Sequence, residues 1–129
     1  MPKRPSPYPT EAELEILNVL WRSGDRTVRE VHEALQADRR TTLTTTLKLL
    51  QIMTEKGLVI ADDARPHRYT AAASEEKTQA GLLDDLTRRA FDGSASKLLV
   101  RAVEHGNLTR EELDEMQQLI NMRRKAAKR

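Results

Sequence analysis

Residues 41–60 read TTLTTTLKLLQIMTEKGLVI, with regularly spaced leucines, a glycine and then a β-type run. Leu43, Leu47, Leu50 and Met53 recur at the three- and four-residue spacing of one helix face. The run from about Thr41 to Lys56 therefore predicts an amphipathic helix with those four side chains as its buried stripe. Thr41, Thr44, Thr45 and Lys48 fall on the opposite face. Gly57 suits the left-handed stop of such a helix. Leu58-Val59-Ile60 then starts a β-type run, Asp62-Asp63-Ala64-Arg65-Pro66 is turn-like, and His67-Arg68-Tyr69-Thr70 is a second short run. Two such runs around a polar turn predict a two-stranded hairpin.

Working upstream, two more helices are expected. Thr10 precedes Glu13, and Thr27 precedes Glu30, at the spacing of a capping box; Thr109 and Glu112 repeat it later. In that motif the hydroxyl accepts from one free backbone N–H while the carboxylate reaches back to another. The first helix should run from about Glu11 to Arg22, with Leu14, Ile16, Leu17, Leu20 and Trp21 on one broad face, and end at Ser23-Gly24-Asp25. The second begins at Val28, turns Val28, Val31 and Leu35 to one side, and fades at Gln36-Ala37-Asp38. Three helices followed by a hairpin is the order of a winged helix-turn-helix.

Working downstream, Ala71-Ala72-Ala73-Ser74 reads as a hinge. Glu75 and Glu76 open a fourth helix, where acid suits the helix dipole. Asp92-Gly93-Ser94 breaks it, a fifth helix spans about Ala95–Glu104, and His105-Gly106-Asn107 precedes a sixth that ends in a basic tail, Arg123 to Arg129. The fold class is thus mostly α with a small β-hairpin. Residues 1–9 form a flexible basic arm carrying Lys3 and Arg4, 10–73 a winged-helix DNA-binding domain, and 74–129 a helical dimerisation domain. Leu82, Leu83, Leu86, Phe91, Leu98, Leu99, Val103, Leu113, Met116, Leu119 and Ile120 are more apolar surface than a self-sufficient winged helix needs to cover. A shared homodimer interface is expected; a monomer with these helices folded back is the alternative.

Composition removes several function classes. With no cysteine among 129 residues, disulfides, thiolate metal sites and cysteine nucleophiles are excluded, as a reducing cytoplasm would allow. His32, His67 and His105 lack metal-ligand spacing, and there is no Gly-rich phosphate loop, so neither catalysis nor a cofactor is expected. No apolar run approaches the roughly 20 residues of a membrane span, and MPKRPSPYP is followed by no secretory h-region. The net charge is only +2, so a nucleic-acid partner requires local concentration of charge.

That concentration exists. From Arg39 to Thr54 the chain carries Arg39, Arg40 and Lys48 and no acidic residue. In a helix-turn-helix the second helix of the pair enters the major groove, here the Thr-rich one. Thr41, Thr42, Thr44 and Thr45 would reach phosphates or base edges, and Arg39, Arg40 and Lys48 phosphates or guanine edges. Arg65, His67 and Arg68 would carry positive charge on the wing. A winged helix that binds protein instead would present an apolar or acidic face here.

The run Thr44 to Val59 resembles the BlaI/MecI/CopY (penicillinase repressor) family. Glu13-Leu14-Glu15-Ile16-Leu17 with Leu20-Trp21, Thr27-Val28-Arg29-Glu30-Val31, Phe91-Asp92-Gly93-Ser94 with Leu98-Leu99, and Leu108 to Leu113 carry the same resemblance from Pro9 to about Met122. The resemblance implies a cytoplasmic homodimeric repressor of a palindromic operator, in some cases one governing antibiotic resistance. It also implies release through cleavage in the dimerisation region, set off by a membrane-embedded metalloprotease sensor. Resistance repressors are cut there at Asn-Phe; this chain has Arg101-Ala102. A switch by a small ligand is the alternative. Cysteine-based copper sensing, used by other relatives, is excluded.

Overall fold

A computed structural model describes residues 7–36 and 41–128. Lys3, Arg4, Arg39 and Arg40 lie outside the described residues. The chain divides into two compact units, Met1–Asp84 and Asp85–Arg129, with the division inside the fourth helix.

The first unit is a winged helix. Helix α1 (Glu11–Ser23) starts at a complete capping box: Thr10 Oγ1 accepts from Glu13 N at 3.2 Å, and Glu13 Oε1 accepts from Thr10 N at 2.8 Å. It ends at Gly24, whose φ of 79° an L side chain rarely adopts. Strand β1 (Arg26–Thr27) leads into α2 (Val28–Leu35), again through a complete box, between Thr27 and Glu30. Helix α3 (Leu43–Lys56) begins two residues later than expected, because Thr42 is its N-cap: Thr42 Oγ1 accepts from Thr45 N at 3.1 Å. Gly57 closes it in the left-handed conformation, and Leu58 N donates to Met53 O at 2.9 Å.

The wing is three-stranded rather than a simple hairpin. Strands β2 (Val59–Ala61) and β3 (Arg68–Ala71) pair antiparallel, with Ile60 opposite Thr70, and β1 joins the other edge of β3, with Arg26 opposite Tyr69. The Arg65–Pro66 peptide in the connecting turn is cis.

One aliphatic core joins these elements: Ile16, Leu17, Val19 and Leu20 from α1, Val31 and Leu35 from α2, Leu50 and Met53 from α3, Val59 from β2 and Tyr69 from β3. The stripe of α3 differs from expectation. Leu47 is exposed, and Thr46 is buried in its place, so the inward face runs Thr46, Leu50, Met53 at i, i+4, i+7. Helix α4 (Glu75–Ala90) follows, and the Trp21 indole N–H donates to Ala73 O at 3.0 Å just before it.

In the second unit, α4 ends where Asp92 and Gly93 take φ of 51° and 78° and Gly93 N donates to Thr87 O. Helix α5 (Ala95–His105) is capped by Ser94, and α6 (Arg110–Ala127) starts at the third capping box, between Thr109 and Glu112. The basic stretch from Arg123 forms the end of this helix, as the high helix propensity of Arg, Lys and Ala favours. Neither α5 nor α6 has a buried residue. No helix among the described residues is long and apolar enough to cross a membrane.

Candidate nucleic-acid interface

Helix α3 is held from behind by α2. The hydroxyl of buried Thr46 donates to Thr42 O at 3.4 Å and lies 3.0 Å from His32 Nδ1. Gln36 Nε2 lies 3.2 Å from His32 Nε2 and donates to Thr41 O at 3.0 Å. The same Gln36 nitrogen stands 3.4 Å from His32 Nδ1, so the imidazole is held between Thr46 and Gln36. This polar seam fixes the start of α3 against the end of α2, the turn of the helix-turn-helix.

The opposite face of α3 is open. Thr42, Thr44, Thr45, Lys48 and Gln51 are all exposed. The first turn carries no acidic residue, so the partial positive charge of the helix N-terminus is not offset there. Thr42 and Thr45 hydroxyls lie 2.9 Å apart and serve the cap, which leaves Thr44 and Lys48 the freer donors. Thr41 precedes the helix; its Oγ1 is buried and has no partner among the described residues. Leu47, 38% exposed, also belongs to this outer face. Its place follows from the inward phase set by Thr46 and Leu50, which apolar spacing alone does not reveal.

On the wing, Arg65 is exposed and contacts the His67 imidazole. The guanidinium only donates, so His67 Nε2 accepts and Nδ1–H points to Asp62 O at 2.6 Å. Arg68 is engaged within the protein: its Nε donates to Asp25 Oδ2 at 2.8 Å, and its guanidinium lies 3.6 Å from Glu30. The Arg68 hydrogen bond and charge hold the Asp25 carboxyl below its ordinary range. Glu30 is also held low, by the Thr27 backbone N–H above all. No short-range sequence signal links Arg68 to Asp25, which lies 43 residues earlier and is brought near by β1 pairing with β3.

Of the expected interface, Leu82 (half-buried) and Leu83 (exposed) precede the division; in the second unit Leu86, Leu99, Val103, Leu113, Leu119 and Ile120 are exposed, and Phe91, Leu98 and Met116 are half-buried. Leu99, Leu119 and Ile120, with Arg123, Arg124 and Ala127, line a groove of about 570 Å³ between α5 and α6. Arg101 and Ala102 are exposed on α5, and Arg101 pairs with Glu104 at 2.7 Å.

The penicillinase repressor family model matches residues 9–122. The chain belongs to that family. A transcriptional regulator named BlaI, from Mycobacterium tuberculosis strains CDC 1551 / Oshkosh and H37Rv, is 39% identical over 97 residues, covering 73% of this chain and 70% of the relative. The methicillin resistance regulatory protein MecI of Mammaliicoccus sciuri is 20% identical over 113 residues, 87% of this chain and 92% of its own length. Membership of a penicillinase repressor family makes the chain a transcriptional repressor by class, with its winged helix as the DNA-binding part.

Proposed function

We propose that the chain is a cytoplasmic homodimer that binds a palindromic double-stranded operator and blocks transcription. Each α3 lies in the major groove of one half-site, with the wing beside it on the backbone. The observation that carries this reading is the acid-free outer face of the first turns of α3, bearing exposed Thr44 and Lys48. Phosphate contacts from Lys48, and from Arg65 on the wing, supply affinity, while the hydroxyls fix register. Arg39 and Arg40 would add charge at the same end of the helix.

The dimer is supported by the second unit, whose helices α5 and α6 have no fully buried residue within one chain while exposing Leu99, Val103, Leu113, Leu119 and Ile120. A two-fold pair sets two recognition helices about 34 Å, one duplex turn, apart or a multiple of it. The second half-site contact is then intramolecular, which raises affinity without new contacts. Anything that separates the subunits removes that gain. Proteolysis near Arg101-Ala102, set off by a membrane-embedded metalloprotease sensor, would relieve repression in this way, and a resistance gene is a fitting target given the name of the Mammaliicoccus relative.

Footprinting on the promoter of the chain's own gene, paired with sedimentation, tests the reading. A dimer protecting two symmetric half-sites is expected. A monomer, or a dimer that protects no sequence, would contradict it.

A further inference from the structure

The exposure of Leu47 has no counterpart in the contacts assigned above. Leu47 is 38% exposed on a face otherwise lined by Thr44, Lys48 and Gln51, in a helix whose core-facing positions are filled by Thr46, Leu50 and Met53. Residues three and four apart are neighbours on a helix surface, so Leu47 lies between Thr44 and Gln51 along one edge of the outer face. A leucine there loses apolar contact with water only if its partner offers an apolar group. In the major groove one base-edge feature does so: the C5-methyl of thymine. One turn on, the Gln51 amide presents a donor and an acceptor together, the pattern complementary to adenine N7 and N6–H₂.

We propose that Leu47 and Gln51 are specificity residues that read an A·T-containing step of the half-site, Leu47 by packing on a thymine methyl and Gln51 by a paired hydrogen bond to an adenine. This rests on the operator-binding reading. It separates two tasks on one face: Lys48 contributes affinity that is indifferent to sequence, while Leu47 and Gln51 choose the sequence.

The test starts from a duplex enriched out of a random-sequence pool by the full-length chain. Each thymine in its half-site is replaced by deoxyuridine, which deletes only the methyl, and each adenine by 7-deazaadenine, which deletes only the N7 acceptor. Removal of the methyl that Leu47 covers should weaken wild-type binding by about fourfold, as expected for one buried carbon. Removal of the N7 partner should cost about fivefold or more. Leu47→Ala should be insensitive to that deoxyuridine, and Gln51→Ala to that 7-deazaadenine, each compared with the same variant's binding to the unmodified duplex. If the wild type binds its duplex but ignores every such replacement, or if the variants keep the full penalties, the inference is overturned. Failure to enrich any duplex would overturn the operator reading itself, and this inference with it.

Discussion

Lys56 Nζ lies 2.7 Å from Glu13 Oε1, with the two side chains only 9% and 3% exposed. The pair fastens the last residue of α3 to the first turn of α1, so the attitude of α3 is set by a buried ion pair as well as by the core. Glu13 Oε1 also accepts from Thr10 N, and Lys56 Nζ donates to Tyr8 O at 3.3 Å. Burial alone would raise the Glu13 carboxyl. The Lys56 and Thr10 hydrogen bonds and the Lys56 charge outweigh it and hold the group below its ordinary range.

Removing one partner of this pair should be worse than removing both. Glu13→Ala or Lys56→Ala strands a buried charge and should cost about 3 kcal/mol or more. The double variant Glu13→Leu/Lys56→Met strands none and loses mainly the capping box, about 1 kcal/mol. Urea unfolding of the four proteins checks the order; a double variant as unstable as the worse single one would refute it.

Acid should unfold the winged helix early. The carboxyls of Glu13, Asp25 and Glu30 are all held low in the folded chain. A depressed folded value means that the folded form binds these protons less readily than the unfolded form. Their contribution is therefore whole above the unfolded carboxylate range, roughly pH 4, and is lost as pH falls through the folded values. Melting temperature should be flat near neutrality and fall steeply below that range, and Asp25→Asn should make the fall shallower. A pH-independent melt would contradict this.

Gly81 is an interior residue of α4, and a Cβ added there would meet Tyr8 Cε1 at 3.7 Å, an ordinary contact. Gly81→Ala should therefore gain most of the helix-propensity difference, about 1 kcal/mol, and raise the melting temperature by a few degrees. A lower melting temperature would show that the Tyr8 contact does not tolerate the methyl.

The legible parts of the fold were the locally determined ones. Thr10, Thr27 and Thr109 cap their helices because a capping box needs four consecutive residues and nothing else. The phase of α3 was less legible. Thr46 turns inward because His32, 14 residues earlier, satisfies its hydroxyl, and that turns Leu47 out. Strand β1 has two residues, and its identity depends on β3. Arg65 and Arg68 look alike in sequence, yet Arg68 is tied to Asp25 and Glu30 while Arg65 meets His67.

The proposed dimer surface should respond to a charge in the α5–α6 groove. In a two-fold interface each substitution is felt twice. Replacing one buried leucine removes about 1.5–3 kcal/mol per copy. Leu119→Lys should thus raise the dimer dissociation constant more than about a hundredfold in sedimentation equilibrium, without lowering the stability of residues 10–73. An unchanged association constant would move the interface elsewhere.

The decisive measurement is the salt dependence of duplex binding by the full-length chain and its Lys48→Ala variant. A log-log plot of affinity against salt loses close to one unit of slope per lost phosphate contact. With one Lys48 in each of two half-sites of the proposed dimer, binding should be weaker at every salt concentration and the slope shallower by about two units. Equal slopes for the two proteins, or no duplex binding by the wild type at low salt, would contradict it.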